Sequence, residues 1–419
     1  MPEIPSDSPE DLQQIYAQAV AAHENGDVAL AAELYSRILE HFPDADVVLY
    51  NQGLALFALN RFAEAAVAFA EAAKFRPDDP DTWFNLGLAL KEEQRYAAAI
   101  NAYQQASALQ PEGTDILFNL ANCCREGGEH EQAAEYYSRL LARAPKHEAA
   151  LNNFAYLCHL QQDYTQAEEL YQRLLALRPG HPGALHMLAA LRGTAEQTPE
   201  NEYVRDLFDR YSETFEQSLV NRLYYRVPEL LFGLVQQYTQ QDNRTTGKEI
   251  ESRFTCCLDL GCGTGLAGEM FTALCSRLVG VDLSEKMLAR AAKKGVYERL
   301  VTEEAVQFLE NMEKEEQQYD LLVAADLLTY LADLEPLLRA AFARTIPSGL
   351  FAFSTEHGEE PGWQVRPTGR FAHHPDYVAE TAERIGWQVI SSEQAKLRRE
   401  ADAWIQGDLF LLTRPLQPE

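Results

Sequence analysis

The chain has 419 residues, enough for two or three domains of ordinary size, with 46% hydrophobic residues and a formal net charge of -28. This composition excludes wholesale disorder, and no apolar run reaches bilayer length. A surface this acidic repels nucleic-acid phosphates and anionic lipid, so neither nucleic acid nor membrane is an expected partner; solubility is the bland reading of the charge.

Met1 to Glu10 is acidic and contains proline, and it lacks the basic start and apolar core of a signal peptide. It reads as a flexible tail (1-10) on a cytoplasmic protein. Seven cysteines with no C-x-x-C spacing argue against a disulfide framework or a zinc site. Free thiols in a reducing compartment, and no metal, are the expectation.

The next stretch repeats. Prolines fall at Pro43, Pro77, Pro111, Pro145 and Pro179, each 34 residues apart, the period of tetratricopeptide repeats. Ala31, Ala65, Ala99, Ala133 and Ala167 keep the same step, as do Tyr35, Phe69, Tyr103, Tyr137 and Tyr171. The small residue lets two antiparallel helices approach, the aromatic fills the gap, and proline ends the second helix. Five repeats and a capping helix near Leu185 to Leu191 are predicted within 11-192. On the first helices, Asn51, Asn85, Asn119 and Asn153 recur and resemble the asparagine ladder of peptide-gripping tetratricopeptide superhelices. Such amides hold the backbone of an extended peptide, or they satisfy neighbouring helix groups; both readings stay open.

A polar breaker, Gly193 to Pro199, reads as the linker (193-199). A second domain, 200-419, follows. Its entry helices span 200-240, with Val204, Leu207, Phe208, Tyr211 and Phe215 at helical spacing, and a polar, mobile loop is expected over 241-253. Strand–helix alternation begins at Thr255. The run Leu258-Asp259-Leu260-Gly261-Cys262-Gly263-Thr264-Gly265 reads as a buried strand, a tight glycine turn and a helix start. Asp259 would repel a phosphate, so the turn suits a cationic ligand. Leu278 to Val281 is a short strand ending in Asp282, at the edge where parallel sheets bind ligands. Ser284 can cap the helix carrying Met287. A third strand ends before Glu303, Glu304 and Ala305; a fourth ends in Asp326; a fifth spans Gly349 to Thr355; and two more are expected at Trp387 to Ser391 and Gly407 to Thr413.

The run Leu258 to Gly265, with Asp282, resembles motif I and the ribose-binding acid of class I S-adenosylmethionine-dependent methyltransferases. Tyr203 to Leu231 and the tail resemble one bacterial group of that class, in which the methyltransferase domain follows tetratricopeptide repeats. The resemblance implies an all-α TPR superhelix followed by an α/β Rossmann-like domain: a mostly parallel seven-stranded sheet with an antiparallel edge hairpin. It implies S-adenosylmethionine as cofactor, leaving as S-adenosylhomocysteine. Asp259, Gly261, Cys262, Gly263, Gly265, Asp282, Leu283 and Met287 would hold it; Glu304 and Ala305 would lie near the adenine amino group; and Tyr211 would close over it from an entry-helix lid. Asp326 would face the reaction centre, with helix capping as its structural alternative. Gly369-Arg370-Phe371-Ala372-His373 matches a signature of the same group. Arg370 and His373 could orient or deprotonate an acceptor, or cap the next helix and pin the loop. A carboxylate acceptor held by Arg366 or Arg370 is one possibility.

Three functions remain open: a methyltransferase whose repeats recruit a protein or peptide, a methyltransferase acting on a small metabolite with repeats used for assembly, and a scaffold whose methyltransferase fold is inactive.

Overall fold

The computed structural model describes residues 9–194, 198–199, 201–211, 223–246, 254–311, 318–400 and 403–416. Contacts divide the chain into two compact units, Met1–Pro179 and Gly180–Glu419. The helix expected to cap the repeats, Pro182–Leu191, falls in the second. Among the described residues no helix is long and apolar enough to cross a membrane.

The first unit is a run of five helical hairpins, from Pro9–Glu24 with Val28–His41 to Glu148–Leu160 with Tyr164–Leu177. The repeating columns form its core. The five alanines are fully buried, and Tyr35, Phe69, Tyr103, Tyr137 and Tyr171 are buried beside them. Each second helix closes on the residue before a proline, as at Phe42, Arg76 and Gln110, because that residue is biased away from helical conformation. Gly53 and Gly87 let the ring of the paired helix approach: a Cβ on Gly87 would stand 2.7 Å from Tyr103 Cδ1. Gly87→Ala should gain up to about 1 kcal/mol in helix propensity and lose more to the clash. We expect a net loss of about 1–3 kcal/mol in urea unfolding; unchanged stability would mean that the ring slides aside freely.

Among the described residues the second unit has nine strands: β1 (Phe254–Leu260), β2 (Cys275–Asp282), β3 (Arg299–Thr302), β4 (Tyr319–Ala324), β5 (Thr345–His357), β6 (Trp363–Val365), β7 (Phe371–His373), β8 (Gln388–Glu400) and β9 (Ala403–Thr413). β3-β2-β1-β4-β5 are parallel, and β9 pairs antiparallel with β5 and with β8. This is the expected seven-stranded sheet with its antiparallel hairpin. Alternate residues feed two apolar layers: Leu258, Leu322 and Phe353 face one, while Cys257, Leu321 and Ala352 face the other. Helix Val227–Thr246 covers the second layer through Leu231 and Val235.

Four expectations change. First, β6 and β7 form an extra hairpin at the far end of β5, where β7 pairs with Glu356 and His357. Gly369 to His373 is therefore not simply a loop, since Phe371–His373 is a strand. Second, the β8–β9 hairpin runs well beyond its predicted length, because polar residues such as Arg398 pair inside it. Third, the loop expected over 241–253 is helical through Thr246; 247–253 lie outside the described residues. Fourth, Cys257 and Cys275 form a disulfide with Cα atoms 6.1 Å apart, so not all thiols are free. The cysteines are 18 residues apart in sequence, and parallel pairing of β1 with β2 brings them together. Cys123, Cys124, Cys158, Cys256 and Cys262 are buried and outside any disulfide.

Candidate active site

The carboxyl ends of β1, β2 and β4 open into a cavity of about 390 Å³, within the size range of small-molecule sites. β1 leads into Gly261, Gly263 and Gly265, all at positive φ (68°, 54° and 88°), where a side chain would be strained. Gly261 also lies close to Leu327: an added Cβ would sit 3.1 Å from Leu327 Cδ1. The turn is locked to the end of β2. Asp282 Oδ2 accepts from the Gly263 N–H (2.8 Å) and Oδ1 from the Ser284 N–H (2.9 Å). Ser284 caps helix Glu285–Lys294 through the Met287 N–H. Burial pushes the Asp282 carboxyl up, and the backbone donors oppose this.

Of the predicted residues, the cavity brings together Gly261, Cys262, Gly263, Asp282, Leu283, Glu304, Ala305, Asp326 and Arg370. It does not include Asp259, Gly265, Met287 or His373. Tyr211 ends helix Asn201–Tyr211, but its side chain and Phe215 lie outside the described residues. Asn201, Val204 and Phe208 of that helix do line the cavity, as do Thr198 and Pro199 just before it.

Strand alternation explains Asp259. It shares a face with Cys257, so its side chain enters the layer beside β1 rather than reaching past the strand end. There Tyr297 donates to Oδ2 at 2.6 Å, while Oδ1 is buried without a partner. Gly268 and Gly280 leave the space that the Tyr297 ring occupies. Burial pushes the Asp259 carboxyl up to about 7, with Asp282 adding to the rise and the Tyr297 bond opposing it.

Asp326 adopts φ 64°, uncommon for a residue with a side chain, just beyond β4. It is not the cap of helix Glu335–Arg344: Leu334 holds that position, and Asp333 just before it accepts from the Glu335 N–H at 2.9 Å. Asp326 instead accepts from Arg398 Nη1 at 2.8 Å, and Arg398 Nη2 donates to Glu356. Arg398 is 1% exposed. Arg370 donates to Glu400 (3.2 Å) and to the Tyr330 hydroxyl (3.3 Å). Burial pushes the Asp326 carboxyl up against the pull of Arg398 and Arg370. Tyr225 and Tyr330 complete this end of the cavity. Arg398, Glu400, Tyr225 and Tyr330 were not singled out from sequence. Arg398 reads there as a polar residue of an ordinary hairpin, and no local signal marks it.

His373 is fully buried, and its Nε2 donates toward the carbonyls of Leu331 and Ala332 at 3.0 and 3.1 Å. Burial pushes it down to about 4, so it is neutral and ties a turn together. The helix after it is capped by His374, not by Arg370 or His373. Arg366 donates to the His357 carbonyl and does not line the cavity.

Two outcomes follow from these environments. Below about pH 4 the Asp259 carboxyl is protonated whether folded or unfolded, and its contribution is then most favourable. As pH rises to 7 the unfolded chain loses the proton first, so stability falls across that window. Wild type minus Asp259→Asn should show this loss, about 2–4 kcal/mol, in unfolding series from pH 4 to 8; parallel curves would contradict it. Arg398→Met strands the buried Glu356 and the half-buried Asp326 and should cost about 3–5 kcal/mol in urea unfolding. A loss below 1 kcal/mol would mean that the bridge contributes little.

A methyltransferase-domain family model matches residues 258–351, from the glycine turn to β5. A tetratricopeptide-repeat model matches 16–80 and 84–148, and a model of the cilia and flagella-associated protein 70 middle TPR-like domain matches 117–244. A ubiquinone biosynthesis O-methyltransferase of Coxiella burnetii is 25% identical over 169 residues, covering 37% of this chain and 69% of the relative. The one from Nitrobacter winogradskyi is 33% identical over 98 residues, 23% of this chain and 37% of its own length. For most of these curated relatives the chain spans half their length or less. Among solved structures, YrrB, described as a TPR protein with an unusual peptide-binding site, aligns with TM-score 0.39 at 21% identity, covering 41% of this chain and 89% of its own. The N-methyltransferase NodS from Bradyrhizobium japonicum aligns with TM-score 0.33 at 16% identity, covering 43% and 87%. By sequence pattern, fold and family match together, the chain joins a tetratricopeptide-repeat region to a methyltransferase domain.

Proposed function

We propose that the second unit transfers a methyl group from S-adenosylmethionine to an acceptor, and that the repeats recruit a protein partner. The observation that carries the donor reading is the joint between the glycine turn and Asp282 at the cavity floor. The residues present fit this donor. Gly261 and Gly263 present bare backbone to the cavity, and among the described residues the lining carries Asp282, Glu303, Glu304, Asp326 and Asp333 against one Lys or Arg, Arg370. That balance suits a cation without phosphates and opposes a dinucleotide. Thr264 Oγ1, a buried oxygen of the cavity lining without a hydrogen-bond partner, suits a ligand donor or the water beside it.

When bound, the sulfonium supplies an electrophilic methyl group. In this reading Asp282 accepts the ribose hydroxyls, its orientation set by the Gly263 and Ser284 N–H groups. Leu283, Glu304 and Ala305 border the adenine, with Glu304 already held by the Gln307 N–H. Asp326, Arg370, Tyr225 and Tyr330 form the acceptor end: Asp326 receives or orients the acceptor's proton, and Arg370 orients its polar group. Helix Asn201–Tyr211 excludes water from above. Of the sequence candidates for proton transfer, Asp326 is favoured over His373, which does not line the cavity.

On the repeats, the ladder amides are engaged. Asn51 donates toward the Tyr16 hydroxyl and Asn85 to Tyr50, from one repeat to the one before; Asn119 bonds Asp115 O; Asn153 bonds Asn122. They therefore brace the first helices, and a partner would meet the half-buried rings of Tyr50, Phe84 and Phe118.

Calorimetric titration with S-adenosylmethionine tests the donor reading. Wild type should bind, and Asp282→Ala should bind roughly 10–100-fold more weakly, the loss of charge-assisted hydrogen bonds to the ribose. Absence of binding to the wild type would sink the proposal.

A further inference from the structure

Arg370 lines the acceptor end from outside any secondary-structure element: it sits between the β6–β7 turn and β7. Its placement depends on what holds that turn. The turn closes on itself through Gly369 N–H to Arg366 O (2.9 Å) and Arg366 N–H to Arg370 O (2.7 Å). Gly369 has φ 78°, in the left-handed region that favours glycine. Its carbonyl meets His186 Nε2 at 2.7 Å. A carbonyl only accepts, so the imidazole carries its hydrogen on Nε2.

His186 lies on helix Pro182–Leu191, read from sequence as the cap of the repeats, yet it is buried in the methyltransferase unit. The fit around Gly369 is close: an added Cβ would stand 2.8 Å from Met187 Sδ and 3.3 Å from His186 Nε2. The same helix also holds the opposite wall. The His186 ring packs on Tyr203 with centroids 5.1 Å apart, and the Tyr203 hydroxyl reaches Met187 Sδ at 3.1 Å. Tyr203 belongs to the helix whose Asn201, Val204 and Phe208 line the cavity. Phe208 then meets Tyr330 edge-on at 5.3 Å, the residue that accepts from Arg370.

We propose that His186 is a positioning residue: through the Gly369 carbonyl it sets the turn that presents Arg370 to the cavity, and through Tyr203 it seats the helix that covers it. The functional weight of this contact rests on the donor-and-acceptor reading above; the contact itself does not. In consequence, the methyltransferase unit needs the segment from Gly180, and a chain begun at the linker would lack the support of its own acceptor end.

Arginine-specific labelling of the full-length protein with phenylglyoxal, read by peptide mass spectrometry, tests the proposal. Arg370 should label several-fold faster in His186→Leu, which fills the space without a donor. His186→Gln, whose amide N–H reaches the same carbonyl, should restore slow labelling. Arg398, buried but held by β8, is the internal reference and should stay protected in both variants. Equal labelling of Arg370 in wild type and His186→Leu overturns the proposal, as does failure of His186→Gln to restore protection, or Arg398 labelling alongside Arg370. Calorimetry with S-adenosylmethionine on the same samples keeps the two ideas apart. Absent binding in wild type with protected Arg370 rejects the donor reading alone.

Discussion

The second unit depends on one carboxylate. Asp282 closes β2 and takes an N–H from the β1 turn on one oxygen and from Ser284 on the other. Those bonds fix the glycine turn against the start of the next helix, so two successive strand ends face one cavity. A carboxylate can do this and still accept from a ligand, because each oxygen carries more than one lone pair. The cost is burial of a charge, visible in the upward push on its proton affinity and on that of Asp259. Perturbed ionisable groups cluster at functional sites, which makes this strand end a candidate for one.

At the other end, charge is managed by pairing. Arg398 bridges Asp326 and Glu356, and Arg370 meets Glu400 and Tyr330. Long-range partners hold each: β8 reaches across to the end of β4, and the β6–β7 turn leans on a helix almost two hundred residues earlier in the chain. The glycine-turn end of the cavity is thus made from neighbours in sequence, the Asp326–Arg370 end from elements far apart. Sites of this form keep their cofactor geometry while acceptor contacts vary with the pieces that cover them.

That contrast also explains how much was legible. The repeats were readable because one supersecondary unit recurs every 34 residues, and each column has a single steric job. The glycine turn and Asp282 were readable because their geometry is local: positive φ, a strand end and a helix cap. Asp259 was recognised as unusual, but its side chain points into the layer with Cys257, which strand alternation could have revealed. His373 looked chemical beside Arg370 and is a buried, neutral brace. Arg398 was invisible, since a polar residue in an edge hairpin carries no mark of what it will face. The pairing of Cys257 with Cys275 was equally hidden, because counting cysteines says nothing of which strands lie side by side.

The sequence by itself determined the repeat array, the strand–helix alternation and the glycine turn with its partner Asp282, since short-range sterics and periodic burial dictate all three. Only the tertiary structure decided which strand ends converge, which carboxylates are paired and which helix meets the Gly369 carbonyl. Those contacts join residues distant along the chain, and their energies come from packing and desolvation that no local pattern records.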